Sequence, residues 1–131
     1  MCYIDGGGFD MKNFINHTNH PSGKWGAEQI AAAKVFGEIS DFPFPAVNPH
    51  ATTEEIRKTV ADNLKKICEL APAAVLCQGE FNYTFEMVTQ LKTLGIKVLA
   101  ATTERISVEE ILTDGSTRQI STFRFVQFRE Y

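Results

Sequence analysis

Between Pro72 and Gln78-Gly79 the chain carries an unbroken run of small or apolar residues, Ala73-Ala74-Val75-Leu76-Cys77, with a helix-patterned segment on either side. A strand with no polar face must be covered on both, which points to a central parallel strand in an α/β sheet. The upstream helix opens on a capping box, Thr52 with Glu55, and runs to Leu70 with an inner stripe of Ile56, Val60, Leu64 and Ile67. Downstream, Asn82 to Leu94 predicts a third helix closed by Gly95, and Ile96 to Ala101 a fourth apolar strand. Nearer the N-terminus, Lys12 to Ile15 reads as a short first strand. Trp25 to Phe36 follows as a helix with Ile30, Ala31 and Val35 inward and Gly37 past its end, then Glu38 to Phe44 as a second strand. Pro43, Pro45 and Pro49 make the next segment extended and irregular. Strand alternating with helix, joined by right-handed crossovers, predicts a three-layer Rossmann-like or flavodoxin-like parallel sheet with helices on both faces, strand order open. The C-terminal part differs in kind: Ser107 to Leu112 and Thr117 to Phe128 flank Thr113-Asp114-Gly115-Ser116, an Asp-Gly hairpin signal, so a β-hairpin is expected at 106–129.

Residues 11–131 are expected to form one domain, with Met11 as its start and residues 1–10 as a flexible leader. The leader's Gly6-Gly7-Gly8 lacks the preceding strand and following helix of a dinucleotide fingerprint. A composition of 44% hydrophobic and 22% charged residues is that of a globular domain, and no apolar stretch reaches the length of a membrane span. Net charge of −3 argues against coating long nucleic acid, whereas a small phosphorylated ligand needs only a few local cations and backbone amides. Three cysteines, Cys2, Cys68 and Cys77, without metal-ligand or Cys-x-x-Cys spacing, predict unpaired thiols in a reducing cytoplasm.

In open α/β sheets ligands bind outside the carboxyl ends of the strands. Three polar clusters fall there: Asn16-His17-Thr18-Asn19-His20-Pro21-Ser22, Gln78 to Thr84, and Thr102 to Arg105. His17 and His20 are candidate acid/base groups near neutral pH, or else residues that fix the loop by hydrogen bonds. His-x-x-His is not read as a zinc site, since a third and fourth ligand are lacking and His50 lies in a separate loop. Glu80 beside Gly79 is a candidate base or nucleophile, or a first-turn acid on a helix, and the glycine would let a ligand approach the backbone. Arg105 is a candidate phosphate clamp, or the partner of Glu104 or Glu109, with Lys24 as a second cation. The aromatic tail, Phe123, Phe125, Val126 and Phe128, is either core or the seam of a homodimer, because a long hairpin edge must be covered, charged or paired.

The loop Asn16 to Ser22, the helix start carrying Glu28-Gln29, and Pro43-Phe44-Pro45 together resemble the small CRISPR-associated Rossmann-like proteins, over roughly Met11 to Arg105. That resemblance implies binding of a cyclic oligoadenylate second messenger across a homodimer and, in some members, its cleavage by a metal-independent ring nuclease activity without a cofactor. His17 or His20 would then assist proton transfer and Arg105 with Lys24 would face phosphate. Asn16, Thr18, Gln78, Asn82 and Thr102 would hold base or ribose edges, with Asn19, Ser22, Gly79 and Thr103 as further candidate ligand-binding residues. Two other readings stand beside it: a nucleoside-processing enzyme that cleaves an N-glycosidic bond with Glu80, and a sensor or partner module that binds a nucleotide without turnover.

Overall fold

The computed structural model describes residues 13–131, so the expectations for residues 1–10, for Met11 as the start and for Lys12 lie outside the described residues. The strands are β1 (Asn13–His17), β2 (Glu38–Asp41), β3 (Pro72–Cys77), β4 (Val98–Ile111) and β5 (Thr117–Glu130); the helices are α1 (Ala27–Lys34), α2 (Thr53–Glu69) and α3 (Phe81–Thr93). They form a mixed α/β fold around one five-stranded sheet of order β2-β1-β3-β4-β5. The first four strands are mutually parallel and β5 is antiparallel to β4.

Alternation along the strands divides the core in two. Ile15, Val75, Cys77 and Val98 join Val60 and Ile67 of α2 and Tyr83, Met87 and Leu91 of α3, whereas Phe14, Ala74, Leu76 and Leu99 join Ala33 of α1, with Trp25, Phe36 and Phe128 at its border. The capping box forms as expected: Thr52 Oγ1 accepts from Glu55 N at 3.1 Å and Glu55 Oε1 accepts from Thr52 N at 3.3 Å. The inner stripe of α2 also holds, with Val60 and Ile67 buried and Ile56 and Leu64 packed against them.

Three expectations are corrected. Helix α1 begins at Ala27, after a 3-10 turn over Ser22–Lys24, and its inward residue is Ala33, while Val35 is 83% exposed. An alanine-rich octapeptide offers too little contrast between its faces to set the phase. Strand β2 stops at Asp41, since Pro43 has no N–H for the ladder and Phe42 N already spends its bond on Asn16 O. Phe42, Phe44 and Val47 of the proline-rich segment turn into the α2/α3 side of the core instead. Finally, β4 does not end at Ala101: it continues through Thr102-Thr103-Glu104-Arg105 to Ile111, paired with β5 throughout. Those residues are polar because both faces of the ribbon meet solvent there, so the third predicted loop cluster is a strand.

Among the cysteines, Cys77 is free and buried, and burial pushes its thiol up to about 12, far from thiolate chemistry. Cys68 is disulfide-bonded, against the expectation of unpaired thiols; sequence spacing does not show which sulfurs approach in space. Among the described residues no helix is long and apolar enough to cross a membrane.

Candidate functional site

Chain order sends β1 to β2 on one side and to β3 on the other, so the sheet reverses direction between β1 and β3. Loops leaving the two strands part there and open a crevice at their carboxyl ends. A cleft of about 840 Å³ occupies that place, walled by Thr18 to His20 after β1, by Gln78 and Gly79 after β3, by Lys24 to Gln29 at the start of α1, and by Thr103 and Phe123 to Phe125 of the hairpin.

The loop after β1 is held by its own side chains. Asn16 Nδ2 donates to His20 O and to Asp41 Oδ1, both at 2.9 Å, and Asn16 Oδ1 accepts from Thr18 Oγ1 at 2.8 Å. Thr18 Oγ1 accepts in turn from His20 N at 3.1 Å, and Trp25 Nε1 donates to His20 O at 3.1 Å. Ser22 Oγ donates to Asp41 Oδ2 at 3.0 Å. Asn16, Thr18 and Ser22 therefore shape the loop. Asn19, the His20 imidazole and Lys24 stay exposed at the cleft. The N-cap of α1 is Gly26, which offers no side-chain oxygen, so the first amides of the helix, in Ala27, Glu28 and Gln29, meet the cleft uncapped.

His17 is placed elsewhere. It is 0% exposed, on the α2/α3 side of the sheet, stacked among Phe42, Phe44 and Tyr83. Its Nδ1 lies 2.7 Å from Phe42 O, which only accepts, so Nδ1 carries the proton and Nε2 accepts from the Tyr83 hydroxyl at 2.8 Å. That hydroxyl accepts from Asn63 Nδ2 at 3.0 Å, completing a relay with every member satisfied. Burial lowers the His17 pKa from 6.5, only partly opposed by the Phe42 carbonyl, and raises that of Tyr83. His17 is thus a neutral core imidazole, and the expected acid/base role is corrected for this residue.

Glu80 is the N-cap of α3: its Oε1 accepts from Tyr83 N at 2.7 Å, and it does not line the cleft. Gly79 does line the cleft, yet the close approach it permits comes from the protein, since an added Cβ would fall 2.4 Å from the end of the Phe44 ring. Gln78 is committed to the sheet: its Oε1 accepts from Ala101 N at 2.9 Å and its Nε2 donates to Ala101 O at 3.4 Å, extending the β3–β4 ladder by a side-chain amide. Arg105 lies on the hairpin with Nε and Nη2 donating to Ser121 Oγ at 3.1 and 2.9 Å, outside the cleft lining. Thr102 Oγ1 donates to Gln127 O, and neither Thr102 nor Asn82 lines the cleft, whereas Thr103 does.

Sequence reasoning missed Trp25, Glu28, Gln29, Phe123 and Phe125. The first three sit in the turn and first helical residues after an already suspected loop, a signal that could have extended the site. The two phenylalanines reach it through the return of β5 beside β4, which no local pattern announces. Among the described residues no group of three His, Cys, Asp or Glu side chains is placed to hold a metal ion.

Residues 12–129 match the model of the uncharacterized protein MJ1673 family. The chain belongs to that family. No curated protein and no solved structure matches the chain significantly. For this member of the MJ1673 family the site's chemistry is therefore argued from its own residues, which offer stacking surfaces in Trp25, Phe123 and Phe125, open helix amides, one exposed ammonium at Lys24 and one exposed imidazole at His20.

Proposed function

We propose that the cleft binds a nucleotide-like ligand, with phosphate on the open N-terminus of α1 beside Lys24 and a base against Trp25 and the hairpin phenylalanines. The observation that carries this is the uncapped start of α1 opening into an 840 Å³ cleft with an aromatic wall. Backbone amides at a helix N-terminus favour an anion, and aromatic faces accept any base. The strand order and the two-sided core support the finer reading of a three-layer, Rossmann-like domain of flavodoxin-like order.

The ligand class proposed is a cyclic oligoadenylate, in keeping with the resemblance to small CRISPR-associated proteins. Where turnover occurs, the ribose 2′-oxygen forms a bond to the adjacent phosphorus as the bond to the 5′-oxygen breaks. The 2′-proton passes to the His20 imidazole, the departing 5′-oxygen takes a proton from water to leave as a hydroxyl, a 2′,3′-cyclic phosphate remains, and the α1 amides with Lys24 stabilise charge on the phosphoryl oxygens. The alternative cleavage of an N-glycosidic bond by Glu80 has less support, because that carboxylate caps α3 away from the cleft.

The test is incubation of the protein, with and without EDTA, with cyclic oligoadenylates and with adenosine mono- and diphosphates, read by thermal shift and by chromatography of products. A stabilising shift, weakened about tenfold in affinity by Lys24→Ala as expected for one lost charge-assisted contact, supports the binding reading. Chelator-resistant ring opening that vanishes in His20→Ala and persists in Arg105→Ala adds the nuclease step, and a shift without product identifies a sensor. No shift with any of these ligands overturns the proposal.

A further inference from the structure

Beyond the body of the sheet, β4 and β5 continue as a two-stranded arm whose register pairs Glu104 with Arg124, Ile106 with Thr122, Val108 with Ile120 and Glu110 with Arg118. Directly paired residues share a face and successive pairs alternate, so these four pairs lie on one side of the arm. Two ion pairs close that face at its ends, Arg124 Nη2 to Glu104 Oε1 at 2.6 Å and Arg118 Nε to Glu110 Oε2 at 2.7 Å. Between them lies an apolar patch in which Val108 is 54% and Ile120 37% exposed. All the acids stand on β4 and both arginines on β5, which makes the face a pair of oppositely charged columns with an apolar centre.

We infer that this arm is the docking surface for a second copy of the chain, packed face to face about a two-fold axis parallel to the strands. That axis exchanges the columns and keeps the rows. The Glu104 carboxylate then lies over the partner's Arg124, Glu110 over the partner's Arg118, and Val108 over the partner's Ile120. A two-fold across the strands would instead set glutamate on glutamate, so the charges choose between the two arrangements. Self-complementarity of this kind fits a second copy better than an unrelated partner, and it covers a ribbon that a single subunit leaves bare on this side. The cleft is lined mainly from the other side of the ribbon, by Thr103, Phe123 and Phe125, whose register positions alternate with those of the docking face, while Arg124 of the docking face stands at its margin. Each subunit therefore keeps its own cleft, with Arg124 common to cleft and seam, in contrast to the shared site that the resemblance implies. The inference does not rest on what the cleft binds.

The experiment is the solution mass of the protein by sedimentation and light scattering over a micromolar concentration series, for the wild-type chain and two charge-column variants. The wild type is expected at twice its 14.6 kDa chain mass. E104R/E110R carries only arginines at the ends of this face and R118E/R124E only glutamates, so each alone is expected to be monomeric, and their mixture to restore the doubled mass. Mixing guards against misfolding as the cause of dissociation, with circular dichroism as a second check. Lys24→Ala is expected to leave the mass unchanged. A wild type that stays at one chain mass overturns the inference, as do variants that remain dimeric alone, or folded variants whose mixture fails to associate.

Discussion

His17 and His20 stand three positions apart and have opposite fates. Strand alternation at the end of β1 turns the first into the core, where its two nitrogens bond Phe42 O and the Tyr83 hydroxyl, whereas the second lies in the loop beyond the strand, exposed on the cleft. Because folding lowers the His17 pKa below 6.5, the unfolded chain binds the proton more readily than the folded one. Stability contributed by the neutral imidazole is whole above pH 6.5 and is lost as pH falls from there through the lower folded-state value. The thermal midpoint is expected to drop between neutral and mildly acidic pH, with a shallower slope in His17→Gln; equal slopes in the two proteins would refute the assignment. Gly79 supplies a second test. Its missing side chain is filled by the Phe44 ring, itself wedged against His17 and Tyr83, so Gly79→Ala is expected to cost about 1–3 kcal/mol in denaturant unfolding.

At the scale of elements, the join between β3 and β4 depends on a side chain. Backbone register covers Val75 with Val98 and Leu76 with Leu99, and the Gln78 amide then takes both the N–H and the carbonyl of Ala101. Gln78→Leu strands that N–H, and urea unfolding is expected to show a loss of about 1–2 kcal/mol, against little change for the exposed Asn82→Ala. Elements of this kind also show what the sequence made legible. The capping box of α2, its apolar stripe, the buried run of β3 and the Asp-Gly hairpin all rest on short-range rules and were readable. The phase of α1 was not, for want of contrast along Ala27–Lys34. Nor was the unbroken length of β4, because the pairing that carries it through Thr102 to Arg105 comes from a strand more than a dozen residues away. The site was half legible for the same reason: topology named the crevice and two of its loops, while burial of His17, the capping by Glu80 and the arrival of Phe123 and Phe125 depend on side chains meeting across the fold.

For the whole molecule, the two core clusters and the distal hairpin are separate bodies of structure. No residue between Thr102 and Gln127 belongs to either cluster. Cutting the arm back, by replacing residues 106–122 with an Asn-Gly turn between the paired positions Arg105 and Phe123, is expected to leave the far-ultraviolet spectrum of the core and to move the thermal midpoint by no more than about 4 °C. Loss of cooperative unfolding in the shortened chain would show that the arm is part of the folding unit. The cleft itself carries a further practical consequence. Trp25 is the one tryptophan of the chain, its indole N–H tied to His20 O and its ring edge-on to Phe14, with one side at the cleft. Intrinsic fluorescence is therefore a built-in optical reporter of this site. A stacked base should quench the emission, unfolding should shift it to the red, and the two signals can be followed in the same cuvette without attaching a dye.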